Sequence, residues 1–358
     1  MQALRIYAGP QARRHLEQQG LFPAHVGTVP GAAGGPKGLV LGPLDRFLFG
    51  QWLPRSAQPV DLIGASIGAW RVATACLADP VDALATLERE YVHQHIGLPP
   101  GQRRLTPEQI SAGFANNLRS FYGGRTAEVL GHTRYRLHVV TSRGRRLLAR
   151  EGRWRTPMGY LGAYVANAFS RQALGQWLER VVFSVPGAPL PFDTADFRTR
   201  QVPLNEANFM QALQASCSIP FVLRPVCDIP EAPSGVYWDG GITDYHLHLR
   251  YRYRKDAPIV LYPHFQRAIV PGWLDKAWRR RHRATAALDW TVVLAPDPKW
   301  ISRLPNGKLP DRSDFTRYGQ DVQARAKVWS TAVSEAERLA DEWAQWLENP
   351  DLRQVEDL

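Results

Sequence analysis

Asp61-Leu62-Ile63-Gly64-Ala65-Ser66-Ile67-Gly68-Ala69-Trp70 is the stretch on which the reading of this chain turns. A short β-forming run at 60–63 gives way to Gly-x-Ser-x-Gly, and residues 69–78 continue as an Ala-rich helix. A strand that turns into a helix through a serine holds the hydroxyl on a strained elbow at the sheet edge. Gly64 and Gly68 supply the room for that turn, because a Cβ at either position would strike the neighbouring strand or helix. An ordinary glycine-rich strand-to-helix turn would use the same residues, so the surrounding sequence has to separate the two.

Upstream, residues 4–8 alternate as a strand. Residues 25–29 form a second strand that runs into Gly31-Ala32-Ala33-Gly34-Gly35-Pro36-Lys37-Gly38. Residues 39–52 read as a helix with Leu41, Leu44, Leu48 and Trp52 on one face, and residues 80–95 as another, with Pro80 in its first turn. This strand–loop–helix alternation predicts an α/β fold, a mostly parallel sheet flanked by helices, with its active site at the carboxyl ends of the strands. Downstream, residues 97–134 are irregular around a helix at 106–120. Strands are expected at 135–141, 235–238, 258–262 and 290–294, a helix pair at 159–178 and a helix at 207–216. Over 314–347, apolar residues recur at three- and four-residue steps from Tyr318 through Trp329 to Trp346, which predicts one long amphipathic helix packed on the rest of the chain.

The 358 residues are 44% apolar and 22% charged, a globular balance, and no apolar run approaches the roughly 20 residues of a membrane span. The first residues lack a signal-peptide pattern, so a cytoplasmic location is expected, with Cys76, Cys217 and Cys227 as free thiols. The net charge of +11 is concentrated in arginines at 143–155 and 279–283. Such a surface suits phosphates, whether of nucleic acid or of anionic lipid, and no zinc-finger, helix-turn-helix or RNA-binding pattern supports the former.

A serine hydroxyl needs a base for its proton and donors for the oxyanion it creates. The loop at 31–38 can supply donors. Pro36 has no N–H, which leaves Gly34 and Gly35, assisted by the amide of Ile67 after the serine. A phosphate cradle would be the other use of such a loop, but the Gly-Lys-Ser/Thr ending of a P-loop is missing.

Four motifs stand in order: Gly34-Gly35-Pro36-Lys37-Gly38, Gly64-Ala65-Ser66-Ile67-Gly68, Ala215-Ser216-Cys217-Ser218-Ile219-Pro220 and Asp239-Gly240-Gly241. Together they resemble the patatin-like phospholipase family of lipid acyl hydrolases, over roughly residues 1–262. The resemblance implies a three-layer sandwich, with Ser66 as nucleophile and Asp239 as its base. It matches Gly34, Gly35 and Gly38 to the oxyanion loop and Lys37 to that loop's basic position, and it requires no metal or cofactor. A carboxylate that takes a serine proton directly is helped by an apolar wall that raises its pKa, which Tyr237 and Trp238 could supply. The corresponding organisation is a hydrolase domain at 1–265, with insertions near the site at 97–134 and 143–205, and a C-terminal extension at 266–358. The partners implied are a lipid or other acyl ester and, peripherally, an anionic membrane surface at the inner membrane face. No nucleic acid is expected.

Other residues compete for roles. His93 and His95, like His246 and His248, are spaced for a shared strand face but lack a third metal ligand. His246 is also the histidine nearest in sequence to Asp239, and so the candidate for a Ser-His-Asp arrangement. Asp244 would orient the site or cap a turn, and Ser216 and Ser218 would bond locally behind Asp239. Trp273 and Trp278 followed by Arg279-Arg280-Arg281-His282-Arg283 suit a packed helix with a basic outer face, with a membrane-interface helix as the other reading. Lipid ester hydrolysis is the function expected. Thioesterase or acyltransferase chemistry on the same site, or a non-catalytic lipid- or protein-binding module of the same fold, are the alternatives.

Overall fold

The computed structural model describes residues 1–102 and 104–358. Its strands are β1 (Leu4–Ala8), β2 (Val26–Gly31), β3 (Val60–Ala65), β4 (Tyr135–Gly144), β5 (Leu178–Ser184), β6 (Thr199–Pro203), β7 (Val226–Cys227), β8 (Val236–Asp239), β9 (Ile259–Pro263), β10 (Thr291–Pro296) and β11 (Val355–Asp357). They form one sheet in the order β11-β1-β10-β9-β2-β3-β4-β5-β6, with β8 on β4 and β7 on β8. The run β10-β9-β2-β3-β4 is parallel throughout. Every residue of β2, β3, β5, β9 and β10 is buried, as expected of strands covered by helices on both faces. The fold is thus α/β, a mostly parallel central sheet between helices, as the alternation predicted.

The site owes its place to β4. Its edge pairs with β3 from Tyr135 to Val140, where β3 ends at Ala65, and with antiparallel β8 from Thr141 to Arg143. β8 therefore approaches from the opposite direction, and its last residue, Asp239 opposite Thr141, meets the last residue of β3. Two strand ends face each other across one neighbouring strand.

Several elements differ from the sequence reading. β5 and β6 lie in a stretch assigned to a helix pair and insertion, and their short runs carry no turn signal that sets them apart. β10 and β11, both beyond residue 265, flank β1, so this part of the chain completes the sheet. The expected long helix is three helices, Ser313–Tyr318, Val322–Glu335 and Glu337–Glu348. Gly319 takes a positive φ of 53° and Asp321 caps the next helix through the Ala324 amide. Ala336 then redirects the chain, so that Trp329 packs in a small cluster with Leu39 and Val92 while Trp343 and Trp346 stack in the main core beside Trp52. Helical periodicity continues through such bends, which is why the sequence pattern hides them. Among the described residues, no helix is long and apolar enough to cross a membrane.

Candidate active site

The chain leaves β3 at Ala65 and enters the Ile67–Thr74 helix through Ser66, whose φ of 55° and ψ of −132° lie where L-residues are strained. Neighbouring backbone enforces the elbow. A Cβ on Gly68 would sit 1.9 Å from the Gly31 carbonyl oxygen, and one on Gly64 2.3 Å from Cα of Ala69. Helix, β2 and β3 therefore close on one another only through glycine. The helix is also tied from outside, because Arg71 donates two hydrogen bonds of 2.7 Å to buried Asp45.

Ser66 Oγ donates to Asp239 Oδ2 at 2.7 Å, and both residues are buried. The other carboxylate oxygen, Oδ1, accepts the Gly241 N–H at 2.7 Å. Asp239 is thus held by the turn that follows it, and one oxygen stays aimed at the serine. Gly240 makes this approach possible, since a Cβ there would lie 2.1 Å from the Val140 carbonyl oxygen. Burial pushes the Asp239 carboxyl above the usual carboxylate range, against the charge of Arg312, the hydrogen bonds from Ser66 and Gly241, and the charge of Lys276. Burial also pushes the neighbouring Cys217 thiol well up, so it stays protonated beside the serine.

The apolar wall differs from expectation. A cavity of about 20 Å³ borders Asp239, lined by Ala33, Ile219, Ile242, Tyr245, Trp273 and Arg312 among others. Tyr237 is on β8, but its hydroxyl reaches back to the Pro233 carbonyl, and Trp238 packs on Tyr160. The loops around the strand ends, rather than β8 itself, form the wall. A cavity of this size holds about one water.

Gly34 and Gly35 follow β2 on the same sheet edge as Ser66. Gly35 has a φ of 57°, and a Cβ on Gly34 would strike the Phe265 ring at 2.5 Å. Among the described residues the amides of Gly34, Gly35 and Ile67 make no hydrogen bond, whereas the Ala33 amide is taken by the Tyr245 carbonyl. Gly38 differs, since a Cβ there would meet Arg71 Cδ at 3.4 Å and Ile67 Cγ2 at 3.5 Å, ordinary contact distances, so the fold does not demand glycine at this position. Lys37 is half-buried with its ammonium 5.3 Å from the centre of the Phe265 ring, and burial lowers its pKa.

Ser216 does more than the sequence suggested. Its Oγ accepts the Ser66 N–H at 2.9 Å and donates to the Val140 carbonyl at 2.7 Å, bracing the Ser66 elbow from the Phe209–Ser216 helix. The carbonyls of Ser216 and Ser218 accept the amides of Gly240 and Asp239, so this segment holds both halves of the site. The Ala-Ser-x-x-x-Pro pattern carried that signal, but only the fold reveals its target.

The histidine and remaining acidic candidates fall elsewhere. His246 is buried with Nδ1 accepting the Val270 N–H, its ring stacked on Tyr245 and edge-on to His264 and Phe265, and its pKa driven well down by burial. Ser66 has no histidine partner among the described residues. Asp244 neither caps nor orients the site; it forms a buried ion pair with Arg180 of β5, with bonds of 2.6 and 2.7 Å. Among the described residues no three His, Cys, Asp or Glu side chains converge as a metal site. The Trp273–Arg283 segment is two short 3₁₀ turns, Trp273–Asp275 and Arg279–His282, anchored by buried Asp275 to Arg171 and Arg281.

Three cations from separate segments stand around Ser66 and Asp239. Arg312 lines the Asp239 cavity and would lie 3.2 Å from a Cβ on Gly35. Lys276 sits 4.0 Å over the Tyr245 ring, its pKa lowered to about 8 by burial and then by Arg312 and Lys37. Among the described residues neither these two nor Lys37 has an ion-pair partner.

Comparison with known proteins agrees with the motif reading. No curated protein sequence matches the chain. Among solved structures, the crystal structure of VipD from Legionella pneumophila aligns over 97% of this chain and 70% of that one, at 13% identity and a TM-score of 0.35, a likeness too distant to bear on fold or function. The family model described as patatin-like phospholipase matches residues 34–246, from Gly34 of the first glycine motif to just past Asp239-Gly240-Gly241, and this chain belongs to that family.

Proposed function

We propose that the protein hydrolyses acyl esters of lipids through an acyl-enzyme on Ser66. The observation that carries this reading is the 2.7 Å hydrogen bond from the strained Ser66 hydroxyl to a buried carboxylate that has no other side-chain partner among the described residues. As Ser66 Oγ attacks the ester carbonyl carbon, its proton passes to Asp239 Oδ2, and the carbonyl oxygen becomes an oxyanion facing the free amides of Gly34, Gly35 and Ile67. Collapse breaks the bond to the alkoxide, which takes the proton back from Asp239. A water then gives its proton to Asp239 and attacks the acyl carbon, and the serine leaves with that proton. A carboxylate raised above its usual pKa is better matched to the serine proton, so the burial of Asp239 serves the chemistry at some cost to stability.

The unpaired Lys37, Lys276 and Arg312 favour a substrate with a phosphate close to the scissile ester. A phospholipid meets that description better than a neutral glyceride. A fluorophosphonate probe tests the nucleophile directly. Labelling of the native protein that vanishes in Ser66→Ala, together with fatty acid release from phospholipid, is the expected result. A folded protein that neither labels nor releases fatty acid would refute the reading.

A further inference from the structure

Among the described residues, exposed large apolar side chains gather most densely on the Arg155–Phe169 helix. Trp154, Met158, Leu161, Val165 and Phe169 fall within about 80° of one another at 100° per residue. All are exposed, Trp154 to 74% and Phe169 to 84%. Of the fourteen exposed large apolar side chains among the described residues, six belong to this helix and its cap. Phe221 and Val222 are exposed as well, beside the same helix; the Phe221 ring lies 5.8 Å from its Tyr160, and both residues follow Pro220 of the cavity wall.

The helix is firmly held from behind. Tyr160 packs 6.0 Å from Trp238, the residue before Asp239, and Asn167 donates to buried Asp275 at 2.8 Å. Its outer face is therefore presented by a fixed scaffold beside the catalytic edge. The surrounding charge has one sign. Exposed Arg150, Arg153 and Arg155 stand at its first turn, and Tyr164 on its flank stacks on Trp278, which leads into Arg279 and Arg280. Between residues 145 and 171 there are six arginines and a single acid, Glu151, which is already paired with Arg224.

We propose that this face, the stripe from Trp154 to Phe169 with Phe221 and Val222, seats the protein on an anionic lipid bilayer, with its arginines at the depth of the headgroups. An apolar stripe rimmed by arginine matches a bilayer that is apolar below and negative at its surface, and the charge complementarity selects that partner over an uncharged one. The choice of partner rests on the lipid reading of the site. The sequence pointed to the 272–283 segment for this role; the structure gives that segment the basic flank and the neighbouring helix the apolar anchors.

Vesicle co-sedimentation tests the idea, with Ser66→Ala protein so that no lipid is consumed and binding is read independently of catalysis. The protein is expected to bind phosphatidylcholine vesicles containing phosphatidylglycerol more tightly than pure phosphatidylcholine. The combined Trp154→Ser, Leu161→Ser and Phe169→Ser variant should bind about 30-fold or more weakly. Arg153→Gln with Arg155→Gln should remove most of the preference for phosphatidylglycerol. In the Ser66 background the apolar triple variant should hydrolyse soluble p-nitrophenyl butyrate as the native protein does, which certifies its fold. Absence of vesicle binding, or binding indifferent to the triple substitution, would overturn the proposal. So would a native dimer that the triple variant converts to a monomer, since a second copy would then cover this face.

Discussion

Replacing Asp239 with asparagine separates the catalytic role proposed for this residue from its effect on stability. The amide is nearly isosteric, so its oxygen can keep the Gly241 N–H now bonded to Oδ1 at 2.7 Å. The NH₂ group then points at Ser66 Oγ in place of Oδ2, and the serine must accept a hydrogen bond where it now donates one. No group remains to take the serine proton. Loss of a positioned general base is worth about 100- to 10,000-fold in rate, or about 2.7–5.5 kcal/mol of barrier. Stability should move the other way. Burial raises the carboxyl pKa in the folded chain, so the native protein bears the cost of a buried charge at neutral pH. That cost is absent below the unfolded-state value of about 3.9 and appears as pH rises through the higher folded-state pKa. Asp239→Asn should therefore unfold at higher denaturant than the native chain at pH 7, with the gap closing as pH falls towards 4 (~3.9 is the reference value). Turnover of p-nitrophenyl butyrate and urea unfolding at both pH values provide the measurements. A variant that keeps a tenth of native turnover, or that is less stable than the native protein at pH 7 (about 7 being well above the reference value), would refute the assignment.

Four further outcomes follow from the same geometry. Ser66→Gly should be about 1 kcal/mol more stable than Ser66→Ala, since only glycine relaxes at a φ of 55°, and thermal unfolding compares the two inactive proteins. Ser216→Ala leaves the Ser66 N–H and Val140 carbonyl unpaired; kcat should fall about 10- to 100-fold with KM nearly unchanged, and stability should drop by about 1–3 kcal/mol. Gly68→Ala drives a methyl into the Gly31 carbonyl and should cost more than about 3 kcal/mol, read as loss of cooperative unfolding or of soluble protein. Arg312→Ala should raise KM for phospholipid more than for a neutral ester, and should move the acidic limb of the pH–rate profile upward, because Arg312 now restrains the Asp239 pKa.

Much of this was legible one element at a time. Local signals suffice where a residue's chemistry allows few uses. The glycines of Gly64-x-Ser66-x-Gly68 admit a close approach that other residues forbid, and Asp239-Gly240-Gly241 couples a carboxylate to a glycine whose Cβ would collide with β4. The bends at Gly319 and Ala336 were not legible, because a bent helix and a straight one bury apolar residues at the same spacing. The exposed stripe on the Arg155–Phe169 helix was hidden for a related reason. Its sequence is apolar on both faces, and periodicity does not tell which face the chain will cover.

The sequence by itself determined the α/β alternation, the serine elbow, the order of the four motifs and hence the family, since each rests on contacts between near neighbours in the chain. Tertiary structure brought Asp239, which the motifs had already named, and no histidine among the described residues to Ser66, because that contact depends on β8 running antiparallel into the end of β3 along β4. It also decided that Ser216 braces the elbow and that Lys276 and Arg312, from a stretch without family motifs, close around the site. Strand register and burial fix those arrangements over separations of 150 residues and more, a range at which local spacing carries no information.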